Sequence, residues 1–250
     1  MHCSSNYKAQ QFYLFYVLLV GIYNIILFKF FSYGNNFMIF LWSLINVLAM
    51  VIISQYIICI RMLRDRYKLA NIVFKNSLNN PTTTTKYFYP TEVLNLFIEL
   101  RNLTEEVKTY YAFHALLVII ESVLLISSEV TKLSFISIDN NIKNFKIITL
   151  ASIFCTLKII FIFFIVREAH NTIQESKKTV LIAHDILQTT INNGIIKEFE
   201  VFVLSYWNNP IIFDVYNFFN LDYKLLQSII ASIVTYLVVL IQIQLAIFMQ

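Results

Sequence analysis

The stretch Leu225–Met249, LLQSIIASIVTYLVVLIQIQLAIFM, carries no charged residue. A hydrocarbon core about 30 Å thick takes roughly 20 helical residues to cross, so this run is long enough to span a bilayer. Lipid offers its backbone no hydrogen-bond partner, which makes the span a helix. Working back from it, four more apolar runs have the right length: 12–28, 37–60, 109–128 and 147–166. The third is interrupted by Glu121 and the fourth by Lys158.

The composition points the same way. Hydrophobic residues are 58% and charged residues 14% of the chain, with a mean hydropathy of +0.67. A soluble domain has about 45–50% apolar and about 25% charged residues. Three Gly and three Pro supply few tight turns, which disfavours a barrel of many hairpins. The expected class is all-α, a polytopic transmembrane helical bundle, with residues 1–250 as one receptor domain. No removable signal peptide is expected at Met1–Tyr23, so the first span would direct insertion. Cys3, Cys59 and Cys155 are too few and too scattered for a disulfide framework or a zinc site, and read as free thiols.

Basic residues set the expected orientation. The segment after the second span opens with Arg61, Arg64, Arg66 and Lys68, and the segment after the fourth holds Arg167, Lys177, Lys178 and Lys197. Fourteen of the 19 Lys and Arg fall on the side of these two segments, against four (Lys29, Lys132, Lys143 and Lys146) on the other. The chain is therefore expected in the cell membrane, with its N-terminus and the regions 61–108 and 167–224 cytoplasmic and its C-terminus extracellular.

Neither long segment reads as a linker. Val93, Phe97, Leu100, Leu103, Val107 and Tyr111 recur at helical spacing and run into the third span. Ile60, Leu63, Tyr67, Ala70 and Val73 carry the second helix onward, and Ala169, Ile173, Val180, Ile186 or Leu187, and Ile191 continue the fourth. Asn192-Asn193-Gly194 stops that stripe, and only Asn79-Asn80-Pro81 with Thr82–Thr85 reads as a loop. Helices that overshoot the membrane with an apolar stripe must bury it, so a cytoplasmic helical platform is expected.

Within the last span, Thr235-Tyr236 is followed by five apolar residues, then Gln242 and Ile243. Ahead of it stands Phe218-Phe219-Asn220-Leu221-Asp222-Tyr223-Lys224-Leu225-Leu226. Together these resemble the C-terminal signature of insect gustatory receptors, members of the chemoreceptor superfamily. That signature reads Thr-Tyr, five hydrophobic residues, Gln, Phe, after a stretch that begins Gly-Phe-Phe. Here Ile243 replaces the final Phe and Asn217 stands at the Gly. The resemblance implies a seven-helix fold with a cytoplasmic N-terminus, and the five spans would match the third to the seventh, the first two being absent by this count. It also implies taste perception and signal transduction through a tetrameric, ligand-gated cation channel, homomeric or shared with other receptor subunits. Its partners would be a small-molecule tastant, permeant cations and the lipid bilayer, with no nucleic acid and no cofactor. Four copies of the last helix would line the pore.

On a 3.6-residue helix Val239, Gln242 and Ile243 share a face, which suits two apolar rings with an amide ring between them. By resemblance Gln242 and Ile243 sit at the gate, and Thr235 and Tyr236 form the motif pair deeper in the helix. Glu121 and Lys158 are the only ionisable residues well inside spans and fall at similar depths, so they are expected to meet directly or through water. Each alone would cost about 2.5–3.5 kcal/mol on insertion scales. The resemblance puts the ligand pocket in the outer half of the bundle, where Tyr23, Trp42, Asn46, Ser122 and Ser127 are candidates.

Two decoys point elsewhere. Asp65-Arg66-Tyr67 and Asn209-Pro210-Ile211-Ile212-Phe213 imitate G-protein-coupled-receptor motifs, but three spans follow the first and a full span follows the second. An enzyme is disfavoured because His2, His114, His170 and His184 form no histidine box and Gly21, Gly34 and Gly194 form no phosphate loop. No metal site is expected. An odorant-receptor-like chain or an accessory subunit that does not itself conduct is the alternative.

Overall fold

The computed structural model describes Gly21 and residues 36–79, 90–136, 142–189 and 193–248. Their order is α1 (Asn36–Asn79), α2 (Pro90–Ile136), α3 (Ile142–Thr189), α4 (Asn193–Asn208), β1 (Asp214–Val215), β2 (Phe219–Asn220) and α5 (Tyr223–Phe248). The fold is an all-α polytopic bundle, with one two-residue hairpin. Among the described residues three helices are long and apolar enough to cross a membrane, over Leu44–Lys75, Leu94–Thr131 and Tyr223–Ile243. The run 147–166 lies inside α3. Of the first span, 12–28, only Gly21 falls among the described residues.

Local chemistry explains the helix limits. Pro90 opens α2, where its missing N–H is no loss, and Glu92 places an acid in the first turn. Asp222 caps α5, its Oδ1 accepting from Leu225 N at 3.0 Å. Asn209-Pro210 follows the end of α4, so this decoy motif lies outside every helix.

The described chain divides into two compact units. The first takes the parts of the helices up to Ile58, from His114 to Phe164 and from Leu226 onward; the second takes Cys59–Phe113 and Ile165–Leu225. In the first unit Met50, Ile53, Ile57, Ala115, Val118, Ile119, Ile126, Phe161 and Ile162 are buried. The core of the second is aromatic. Phe74 stacks on Phe199 with ring centroids 5.8 Å apart and meets Phe97 at 5.8 Å, and all three rings are buried. Burying such a side chain contributes about 1.5–3 kcal/mol.

The stripes of the second unit follow the helical period with one-residue offsets. Ile60, Leu63, Tyr67 and Ala70 are buried, but Phe74 takes the next inward place and Val73 is exposed. Along α2 the inward line is Leu94, Phe97, Leu100 and Thr104. Side chains on a helix cover the turn N-terminal to their own Cα, so the position that reaches a neighbour shifts by a residue.

The hairpin is a turn that demands two left-handed residues. Tyr216 (φ 48°) and Asn217 (φ 58°) are its central pair, closed by Phe218 N donating to Val215 O at 2.9 Å. Such a mirror-image turn favours Asn and Gly. Asn217 is one of the few non-glycine residues that tolerate this left-handed backbone.

Candidate functional site

Three spans of the first unit converge on one ammonium. Lys158 of α3 is 1% exposed, and its Nζ lies 3.4 Å from Glu121 Oε1 on α2 and 3.4 Å from Asn46 Oδ1 on α1. Asn46 is also buried, whereas the Glu121 side chain is 31% exposed. The cation is therefore enclosed and its carboxylate stands at the edge. Ser122, next along α2, is buried with its hydroxyl turned back to Val118 O at 2.6 Å, and Ser127 does the same to Val123 O at 2.9 Å. Trp42 lies within α1, with its side chain outside the described set, and Tyr23 lies outside the described residues.

The last helix has two unlike faces. Leu226, Ile229, Ile233, Leu237 and Leu240, spaced three and four apart, are half-covered or buried, as is Leu225 in the first turn. Ser228, Thr235 and Gln242 are all exposed, and they recur every seven residues. Counting about 100° per residue, that polar line runs down the face opposite the covered stripe. Val239 (45% exposed) and Ile243 (51%) flank Gln242 on the same open side. Thr235 donates to Ala231 O at 2.9 Å and Ser232 to Ser228 O at 2.8 Å. Tyr236 leans the other way. Its hydroxyl sits 2.9 Å from Thr131 Oγ1, whose own proton goes to Ser127 O, so Tyr236 donates across to α2.

In the second unit, sequence periodicity misses the residues that hold the helices together. Glu168, Thr172, Ser176 and Thr179 recur along α3 at spacings of four, four and three, and all are buried. Glu168 pairs with Arg64. Thr172 donates to Glu168 O of its own helix at 2.8 Å with its Oγ1 also 3.2 Å from Ile60 O, and Thr179 donates to Asn71 Oδ1 at 2.7 Å, while Asn71 Nδ2 donates to Glu175 O at 2.9 Å. Ser176 accepts from Tyr206 at 2.8 Å, its own proton being directed to Ile173 O. Burial pushes the Tyr206 phenol up, with Ser176 and Arg101 only partly opposing, so it stays a donor. A search for apolar stripes passes over this line. The signal that finds it is a polar repeat with the same helical period.

The hairpin is docked within the same unit by charge. Lys108 Nζ reaches Asp214 Oδ1 at 2.9 Å and Glu105 Oε2 at 2.6 Å, and Asn217 N donates to Asp214 Oδ2 at 3.1 Å. Burial alone would raise the Asp214 carboxyl, but Lys108 and the Asn217 N–H outweigh it and hold it below its ordinary value. Arg101 Nη2 donates to Asn209 O at 2.7 Å just beyond α4. Among the described residues no group of three His, Cys, Asp or Glu converges as a metal site would require.

Residues 2–247 match the model of the family described as 7tm Chemosensory receptor. The chain belongs to this family. No curated protein matches it. A chemosensory receptor is a membrane protein, in keeping with the apolar helices. The chemoreceptor match covers both units, so the polar cluster around Lys158 and the two-faced α5 both lie within it.

Proposed function

We propose that this chemosensory receptor is a gustatory receptor and a subunit of a ligand-gated cation channel. In this reading four copies of α5 surround the ion path, contributed by this chain alone or with other receptor subunits. The observation that carries it is the polar line Ser228–Thr235–Gln242 on the uncovered face of α5. An uncharged span in lipid has no use for a side-chain amide facing hydrocarbon. An amide on the face away from its own bundle therefore needs water or another copy of itself. Gln242 then forms a neutral polar ring between the apolar rings of Val239 and Ile243, an arrangement that admits hydrated cations when the apolar rings separate. Thr235 continues the same wall. Tyr236, tied to Thr131, fixes the rotation of α5 about its axis.

The proposed orientation keeps the N-terminus and the residues 61–108 and 167–224 in the cytoplasm of a cell-membrane protein with its C-terminus outside. Its support is the excess of Lys and Arg in those two segments. A small-molecule tastant enters from the outside. Lys158, Glu121 and Asn46 set the register of three spans, and Asn46 serves the ammonium rather than the tastant.

The test is tastant-evoked current from cells expressing the chain, with cysteine placed in turn at Val239, Gln242 and Ile243. A permeant thiol reagent should reduce the current most at Gln242 and in the open state. If all three positions stay unmodified in every state of a conducting assembly, α5 does not line the path.

A further inference from the structure

The second unit contains a cavity of about 700 Å³ walled by α2, α3 and α4, with Tyr67 of α1 and Ile211 completing the lining. That volume lies within the range of small-molecule sites, about 300–1,000 Å³. Its walls are mainly apolar and aromatic, with the rings of Phe97 and Phe202 neighbouring each other at 6.3 Å, and Tyr206 of α4 and Ser176 of α3 supply hydroxyls. Two cations face it. Arg101 donates to the carbonyl of Asn209, and among the described residues no carboxylate lies within ion-pairing distance of Arg101 or of Lys197. Glu198 is the one acid in the lining. A mainly apolar chamber with an excess of positive charge is complementary to a molecule with an apolar body and a single negative head.

We infer that this cavity is a second ligand site for a small anionic amphiphile, a medium-chain carboxylate or alkyl phosphate, whose head meets Arg101 and Lys197. It is separate from the tastant pocket, because every lining residue belongs to the second unit. On the orientation proposed above the ligand arrives from the cytoplasm and reports on the interior of the cell, yet the site itself rests on neither conduction nor orientation.

The site is tested with the full chain in neutral phosphatidylcholine nanodiscs, using a diazirine-bearing decanoate as photoprobe and mapping the labelled peptides by mass spectrometry. Labels should fall on the peptides holding residues 94–101 and 197–206. Unlabelled decanoate and decyl phosphate should compete, and decanol, with the same chain and no charge, should not. A charge-assisted hydrogen bond is worth about 1.5–3 kcal/mol, so Lys197→Gln should lower labelling by at least about tenfold. Lys197 is exposed and makes no described hydrogen bond, so this variant keeps the fold. Ser205→Trp, which fills the chamber, should abolish labelling while leaving the melting temperature of the chain unchanged. A probe embedded in the bilayer as diazirine phosphatidate separates a lipid source from a soluble one; labelling of the same two peptides by either form supports the site. Labels confined to α5, equal competition by decanol, or unchanged labelling of Lys197→Gln would overturn it.

Discussion

The two units differ in how many of their polar side chains bond across to another helix. In the first, hydroxyls close on their own helix: Ser54 onto Met50, Ser122 onto Val118, Ser127 onto Val123, Thr156 onto Ser152, Ser232 onto Ser228 and Thr235 onto Ala231. Only the Lys158 cluster and the Tyr236–Thr131 pair cross between helices among the bonds described there. In the second, Thr104, Thr109 and Thr172 also close on their own helix, but these bonds cross: Tyr67 to Thr104, Thr179 to Asn71, Tyr206 to Ser176, Asn71 to Glu175, Arg64 to Glu168. A hydroxyl bonded to the carbonyl four residues back is satisfied wherever its helix goes, so it constrains no partner. A crossing bond fixes register between two helices. Stability in the second unit should therefore be brittle to single polar changes, and in the first only at its one ion pair.

The largest effect to break that contrast is at the ammonium. Lys158→Glu sets a second carboxylate against Glu121, and disrupting a buried pair costs about 3–5 kcal/mol. The yield of monodisperse protein after detergent extraction should collapse, and adding Glu121→Lys should restore it. Collapse without recovery in the double variant would show that the two residues act separately.

Next is the aromatic core of the second unit. Phe199→Ala removes a ring stacked on Phe74 and should cost about 3–5 kcal/mol, read as a lowered melting temperature by circular dichroism. A substitution at Trp207, 70% exposed on the same helix, should leave the melt unchanged.

The sharpest form of the comparison pairs two threonines. Thr179→Val strips Asn71 of a buried donor, at a cost of about 1–3 kcal/mol. Thr235→Val removes a hydroxyl bonded only to its own helix among the described contacts, and should shift stability by no more than about 0.5 kcal/mol. Equal losses in the two variants would erase the distinction between the two units.

The smallest effect concerns acid. The Asp214 carboxyl is held below its ordinary value of 3.8, so its contribution to hairpin docking is complete above about pH 4 and fades as pH falls through the lowered value. Amide protection at Phe218 and Leu221, corrected for intrinsic exchange, should hold from pH 7 to pH 5 and drop only below about pH 4. Asp214→Asn should lack that step at every pH.

Much of this molecule was legible in the residue order. The uncharged run at 225–249 announces a span because length and charge are properties of the chain itself. That Glu121 and Lys158 share a depth follows from counting residues along their helices. The third partner is another matter. Asn46 reads as a candidate ligand contact, and only the packing of α1 against α3 sets its amide 3.4 Å from Lys158. The hydroxyl line of α3 was hidden for a related reason, since Ser and Thr count as surface residues until a neighbour's donors and acceptors are known. The hairpin was hidden too, because two residues per strand are too few to show a period of two.

The sequence by itself determined which segments are helical and apolar, because periodicity and the cost of charge in hydrocarbon act locally. It also determined that Gln242 and Thr235 lie in line, since seven residues make nearly two full turns of any helix. The tertiary structure alone decided which side of α5 its own bundle covers, and hence that this line looks outward. It also decided which buried oxygen faces which donor, and that α2, α3 and α4, with Tyr67 of α1, leave a cavity that Arg101 and Lys197 help to line. Those outcomes depend on contacts between residues far apart in the chain, which no local pattern encodes.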